Sequence, residues 1–352
     1  MIISIDNIKP GMQISENVVN NEGMLVVVKD TVVTDNIIKR LIRYNISEIN
    51  VNTSADSNIK KNILKNSPDL EKFKNDMGEV KDSLNNSFNS IITDCPDKET
   101  LNQVIDCGMS FYYDNCKKNN ILDILYCIQE FSDTTYVHCI NVSMIAGLLA
   151  KWLFWSEEDV NKVVVCGLFH DIGKLMIPND ILNKPGKLTN QEYSFMKKHS
   201  EFGFVKLKDI ELLPAEVKRA ALLHHERCDG SGYPFGLKRN KIDKYSKIIA
   251  IADVYDALTA NRIYREAMCP FDVISILEQE GLERYETRYI LTFLQQILNS
   301  YLNKKVELSN GEIVTIDEIN HDARSKPVVV MDGGKKIDLS KMSEVKIVKI
   351  CE

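Results

Sequence analysis

His170 and Asp171 are the first residues of this chain whose types and order point to chemistry. They follow Val163-Val164-Val165-Cys166-Gly167-Leu168-Phe169, an apolar run that reads as a buried helix. The polar pair therefore falls where that helix meets the core. A carboxylate buried beside an imidazole is costly unless something pairs with it. A metal ion satisfies both groups at once, since imidazole nitrogen and carboxylate oxygen suit Fe, Mn or Zn. A histidine–aspartate dipeptide by itself is a weak signal, and its neighbours decide its meaning.

The chain has six histidines, and His138, His170, His199, His224 and His225 all lie in one helical region. His224-His225 close the apolar run Ala220-Ala221-Leu222-Leu223. Adjacent helical residues point about 100° apart, so both rings reach one ion only at a helix end or distortion. The following loop, Glu226 to Pro234, supplies such an end, with Gly230, Gly232 and Pro234 shaping its backbone. Asp253 and Asp256 stand three apart on one face of an otherwise apolar helix, which favours a ligand role for Asp253 over a solvated face. His199 comes late in a helix opened by a Thr189-x-x-Glu192 capping box. Arg262 and Arg265, also three apart, are suited to phosphate recognition.

The elements that must position these residues divide the chain into four parts. Residues 1–52 form a small β-rich N-terminal domain, with strand-like runs at 24–28, 31–33 and 46–51, a helix over 35–44, and a regulatory role. Residues 53–97 hold a polar linker and an amphipathic helix. Its stripe, Leu70, Phe73, Met77, Val80, Leu84, Phe88 and Ile91, either packs on the following domain or pairs two chains into a homodimer. Residues 98–302 are helical throughout, and residues 303–352 form a small β domain of two hairpins, the first turning at Ser309-Asn310-Gly311. The fold class is thus mainly α, with a small α+β domain before the helices and a β domain after them.

Composition narrows the function classes. At 352 residues and 44% hydrophobic, the chain can build two or three cores. Its formal charge of −6, from 44 Lys+Arg against 50 Asp+Glu, argues against a grip on long nucleic acid and leaves room for a small phosphate ligand. The most apolar run, Val142 to Trp155, is too short for a membrane span and carries Lys151. The N-terminus lacks a basic region and cleavage site, and nine cysteines without a CxxC pair read as reduced thiols, so a cytoplasmic location is expected.

Taken together, TYVHCINVS around His138, HDIGKLMIPNDILNKPGKLT, KKHSEFG, HHERCDGSGYP and ADVYDALTANRIYREA resemble the HD-GYP family, a branch of the HD superfamily of metal-dependent phosphohydrolases. The resemblance covers roughly residues 100–280, with its motifs in the family's order. It implies an all-helical HD-type catalytic domain and hydrolysis of cyclic di-GMP, to pGpG or to GMP, by a hydroxide activated by two metal ions, Fe or Mn. It further implies His138, His170, Asp171, His199, His224, His225 and Asp253 as metal ligands, with Asp171 bridging. Lys174 would contact the scissile phosphate, and Arg262 and Arg265 the substrate phosphates. Gly232, Tyr233 and Pro234 would line the substrate-facing rim, with Asp229 shaping that loop and Asp256 orienting a ligand histidine.

In one respect the chain departs from some relatives, which hold a third metal with a Glu four residues before the first histidine. Here that position is Thr134, with Asp133 beside it, so two ions are expected rather than three. Two other functions share the same residues. One is a catalytically silent receptor for a cyclic dinucleotide, which the complete ligand set disfavours. The other is a hydrolase of a mixed GMP–AMP dinucleotide, because metals and arginines read phosphates and leave the base to the pocket walls.

Overall fold

The computed structural model describes residues 2–9, 12–19, 25–27, 31, 33, 35–44, 46–52, 68–93, 98–118, 135–260, 268–320, 322–331, 333–342 and 344–351. Thr134, Asp133, Arg262 and Arg265 lie outside the described residues, and so does all of the linker expected over 53–66.

Short β-branched runs at the N-terminus give β1 (Ile2–Ser4), β2 (Gln13–Ile14), β3 (Val18–Val19) and β4 (Leu25–Val27). Helix α1 (Asp35–Arg43) and strand β5 (Glu48–Asn52) follow. A three-stranded antiparallel sheet runs β1-β5-β2, and β3 pairs with β4. Ile14, Val26, Leu41, Ile49 and Val51 bury a core of their own, separate from the main one. No strand forms at Thr31 or Val33.

Helix α2 (Pro68–Ile92) carries the amphipathic stripe. Phe73, Met77, Val80, Leu84, Phe88 and Ile91 are all buried inside this chain. They meet α3 (Lys98–Lys118), α4 (Thr135–Trp152) and α5 (Glu157–Phe169): Phe73 lies 5.1 Å from the Phe111 ring, and Phe88 lies 5.7 Å from Tyr136 and Phe169. Of the two readings of the stripe, the intramolecular one describes this conformation. A homodimer seam along this helix would have to reuse apolar area that is already covered.

Helix α4 is the axis of the helical region. Every residue from Val137 to Ala150 is buried, as expected of a helix that is apolar around its circumference. Helix α5 packs along it, opened by Ser156, whose hydroxyl accepts from the Asp159 N–H. The chain then runs through a 3-10 turn (Ile172–Met176), α6 (Asn179–Leu182), α7 (Asn190–Met196), α8 (His199–Leu207), α9 (Ala215–Leu223), α10 (Lys244–Thr259), α11 (Pro270–Arg284) and α12 (Thr287–Tyr301). The Thr189–Glu192 capping box is present, but its helix ends at Met196. His199 is therefore the first residue of α8, where the sequence placed it late in the preceding helix.

The C-terminal strands are β6 (Lys305–Leu308), β7 (Ile313–Glu318), β8 (Val328–Val330), β9 (Lys336–Asp338) and β10 (Ile347–Cys351). They form one antiparallel sheet in the order β10-β6-β7-β8-β9, so the two expected hairpins are joined through β7 and β8, and the additional strand β10 closes on β6. The inward Val306, Ile316, Val329 and Ile347 belong to the same buried cluster as Phe293 and Ile297 of α12. Among the described residues no helix is long and apolar enough to cross a membrane.

Candidate metal centre

Five helical segments deliver the clustered side chains, mostly from helix ends. His138 projects from the first turn of buried α4, and Asp253 from within α10. His170 caps α5 and Asp171 opens the 3-10 turn beyond it. His199 begins α8, and His224 caps α9 with His225 just after it, the helix end that two adjacent rings need in order to converge. Gly173 lets two of these segments meet: a Cβ there would stand 1.9 Å from the His199 carbonyl oxygen and 2.5 Å from the Gly203 nitrogen.

Asp171 is the hub, 1% exposed. Its Oδ2 lies 3.2 Å from Nε2 of His138 and 3.2 Å from Nε2 of His170. Its Oδ1 lies 3.3 Å from Nε2 of His199 and 3.6 Å from Nε2 of His224. One carboxylate thus faces two donor sets, His138 with His170 on one oxygen and His199, His224 and His225 on the other. Asp253 touches both sets, with Oδ1 3.1 Å from His138 Nε2 and Oδ2 3.6 Å from His225 Nδ1.

The outward nitrogens fix how the rings present themselves. The Nδ1 atoms of His170, His199 and His224 lie 2.8, 2.8 and 2.9 Å from the carbonyl oxygens of Gly167, Met196 and Ala220. A carbonyl only accepts, so each Nδ1 carries the proton and each neutral ring turns a bare Nε2 lone pair inward. His138 Nδ1 is held likewise by Asp256 Oδ2 at 2.7 Å. Nε2 of His199 then lies 3.3 Å from Nε2 of His224 and 3.1 Å from Nε2 of His225. Lone pairs converging this closely repel unless a cation sits among them. Neither oxygen of Asp171, nor Nε2 of His138 or His170, has a hydrogen-bond partner despite full burial. Lys174 is the one full counter-charge on this buried carboxylate, so its burial still costs free energy, and a divalent cation removes both penalties. The donor set therefore fits metal ions, with nitrogen and oxygen ligands and no thiolate.

The electrostatics agree. Burial pushes the Asp171 carboxyl up, but Lys174, His170 and His138 hold it well below the usual range. Asp253 is likewise held well below despite burial, by His138 and His225. Burial depresses His225 well below the ordinary imidazole value and brings His199 down to about 3, so both stay neutral and able to ligate. For His138 burial also acts downward, and its contacts with Asp171, Asp253 and Asp256 overcome it, raising the ring well above that value. Lys174 reaches in from the partly exposed side, its ammonium 2.5 Å from Asp171 Oδ2.

The loop after His225 forms the rim. Tyr233 stacks on the His225 ring at 4.5 Å and 29°. Gly232 allows this return of the chain, since a Cβ there would fall 2.4 Å from the Arg227 nitrogen and 2.5 Å from Glu226 Cα. Pro234 follows in a cis peptide with Tyr233. Asp229 shapes the loop as expected, accepting from the N–H and hydroxyl of Ser231 at 2.9 and 2.7 Å.

Two positioning residues escaped the sequence reading. Glu226 is buried and accepts from the backbone N–H groups of Phe235 and Leu237 at 2.7 and 2.8 Å, tying the far side of the loop to the residue after His225. Asn141 donates to Asp256 Oδ1 at 2.9 Å. Its signal was present: it lies three residues after His138, on the same helix face. Glu226 gave no such signal, being one more polar residue at the head of a polar loop.

A histidine–aspartate pair at a helix end, its carboxylate shared between histidines from neighbouring helices, defines an HD domain, and residues 119–288 match that family. Gly232-Tyr233-Pro234 folds beside the cluster, where the resemblance to the HD-GYP branch places it. The chain is 40% identical over 147 residues to a cyclic di-GMP phosphodiesterase of Pseudomonas aeruginosa, covering 42% of this chain and 36% of that protein. It is 36% identical over 195 residues to a cyclic di-GMP phosphodiesterase of Thermotoga maritima, covering 53% and 52%. To a 3'3'-cGAMP-specific phosphodiesterase of Vibrio cholerae it is 43% identical over 149 residues, covering 42% and 34%. The matched region thus spans between about a third and about a half of these relatives. An HDG"Y"P protein from Bdellovibrio bacteriovorus shares the fold, with a TM-score of 0.55 at 17% identity, over 83% of this chain and 97% of that one.

Proposed function

We propose that this chain is a metal-dependent phosphodiesterase that opens cyclic di-GMP to the linear dinucleotide pGpG and on to GMP. The observation that carries the reading is the division of Asp171, whose two oxygens serve two separate histidine sets. His138, His170, Asp171, His199, His224, His225 and Asp253 are the ligands in this reading. Two divalent ions, Fe or Mn, would supply Lewis acidity and an activated water when bound. Asp256 and the three backbone carbonyls hold the Nδ1 edges of His138, His170, His199 and His224 outward, so that their Nε2 atoms face the cluster. Lys174 offers its ammonium to the scissile phosphate and offsets charge growing on its oxygens. Water adds to phosphorus, the P–O3' bond breaks, and the proton ends on the 3'-hydroxyl. Arg262 and Arg265 hold the substrate phosphates, while Tyr233, between Gly232 and Pro234, shields the ligand cluster from bulk water.

The test is anaerobic incubation of the chain with cyclic di-GMP and Fe(II) or Mn(II), followed by chromatography. Formation of pGpG or GMP that a chelator abolishes is the expected result. Binding without turnover at full metal occupancy would turn the reading to a receptor. A second substrate has its own support: identity is 40% to a relative named for cyclic di-GMP and 43% to one named for 3'3'-cGAMP, so similarity does not separate the bases. Turnover of both compounds, compared side by side, assigns the base.

A further inference from the structure

Lys197 stands in the break between α7 and α8, two residues before His199. Its ammonium lies 5.2 Å from the centroid of the Tyr193 ring and 5.7 Å from that of Tyr233. An ammonium this close to a ring face is attracted by the ring's quadrupole, so the two tyrosines steady a side chain that would otherwise sweep through solvent. Tyr233 in turn lies on His225, which makes the ammonium continuous with the ligand cluster along the outer rim. Neighbouring cations are neutralised differently. Lys174 pairs with Asp171, Lys184 with Glu192, and Arg239 and Lys247 both with Glu286. Among the described residues, Lys197 has no carboxylate within ion-pair distance, so its field remains available to an anion. Tyr193 is 52% exposed and leaves ring surface open beside it.

A cyclic dinucleotide carries two phosphodiesters on one ring. The two lie on opposite sides of the macrocycle, so a ring that presents one to Asp171 and Lys174 turns the other away from them. We propose that Lys197, steadied between Tyr193 and Tyr233, is a specificity-determining substrate contact that takes the uncleaved phosphate, and that Tyr193 offers its open face to the adjoining base. This rests on the phosphodiesterase reading above. It also gives Tyr233 a second duty, holding Lys197 as well as covering His225.

The test compares the parent with Lys197→Met, Lys197→Arg and Tyr193→Ala in Mn(II), using cyclic di-GMP and the single-phosphate diester bis(p-nitrophenyl) phosphate. For Lys197→Met, KM for cyclic di-GMP should rise about tenfold, the loss of a charge-assisted contact. The loss on the single-phosphate diester should be several-fold smaller. Lys197→Arg should recover most of the affinity, and Tyr193→Ala should raise KM less than Lys197→Met does. Equal losses on both substrates, or a KM for cyclic di-GMP within about twofold of the parent, would overturn the assignment. A parent that binds cyclic di-GMP without cleaving it refutes the phosphodiesterase reading alone, and the same variants then decide Lys197 by equilibrium binding. A parent that does neither overturns both.

Discussion

Asp256 Oδ2 lies 2.7 Å from His138 Nδ1, on the edge of the ring that faces away from Asp171 and Asp253. The same carboxylate is fixed on its other oxygen by Asn141. Outer partners of this kind orient a ligand ring and strengthen its donor nitrogen. Asp256→Asn should therefore weaken metal binding by about 10- to 100-fold. Asn141→Leu, which leaves one Asp256 oxygen without its donor, should cost about 1–3 kcal/mol of stability. Metal titration followed by elemental analysis, together with urea unfolding, measures both; undiminished affinity in Asp256→Asn would remove the positioning role.

Because Asp171 serves both histidine sets, its loss should differ in kind from loss of a ligand on one side. Asp171→Ala is expected to abolish hydrolysis and to lower occupancy at both positions. His170→Ala should also abolish hydrolysis while sparing more of the binding by His199, His224 and His225. Metal-to-protein ratios after gel filtration distinguish the two patterns. Cleavage surviving both substitutions would sink the enzymatic reading.

Gly173 is irreplaceable for a geometric reason. A methyl group there would press on the His199 carbonyl and the Gly203 nitrogen, both backbone atoms that cannot swing aside. Gly173→Ala should cost about 3 kcal/mol or more and displace His199. Thermal unfolding in chelator measures the stability cost, and metal titration the displacement.

His199 makes the stability of the metal-free chain depend on pH. Burial holds its ring near 3 in the fold, against 6.5 in the ordinary imidazole. Between those values the unfolded chain binds the extra proton, so this contribution to stability is full above 6.5 and is lost as pH falls. The slope is at most about 1.4 kcal/mol per pH unit. From pH 6.5 to 5, chelated parent should lose up to about 2 kcal/mol relative to His199→Gln, which has no proton to gain. The raised His138 has the opposite sign, but it is present in both proteins and cancels. Urea midpoints at several pH values give the difference, and a parent-minus-variant stability that stays constant or rises on acidification would contradict the assignment.

His170, Asp171, His224, His225 and Asp253 stood out as candidates because imidazole and carboxylate groups in or at the end of apolar runs are costly to bury, whereas His138 and His199 entered as ligands through the resemblance. His224-His225 at the end of an apolar run also announced its helix end, since two adjacent rings cannot otherwise converge. Other features depended on tertiary context. The break before His199 did not show, because Lys197 and Lys198 are good helix formers and the chain bends there to bring His199 against Gly173. Strand β10 has its pairing partner, β6, some forty residues upstream. The stripe on α2 displayed its period but not its partner, as any amphipathic helix does. The role of Glu226 arises only once the loop has returned to its carboxylate.

The proposed ligands first and last in the sequence, His138 and Asp253, are separated by most of the helical region, with three further proposed ligand segments between them. Ions held there would act as cross-links, closing several long loops of chain through one point. Such a clip removes entropy chiefly from the unfolded ensemble, and longer loops gain more from closure. The centre would then fasten the helices as well as host the chemistry, so cellular metal supply would set how long the molecule lasts in addition to whether it turns over.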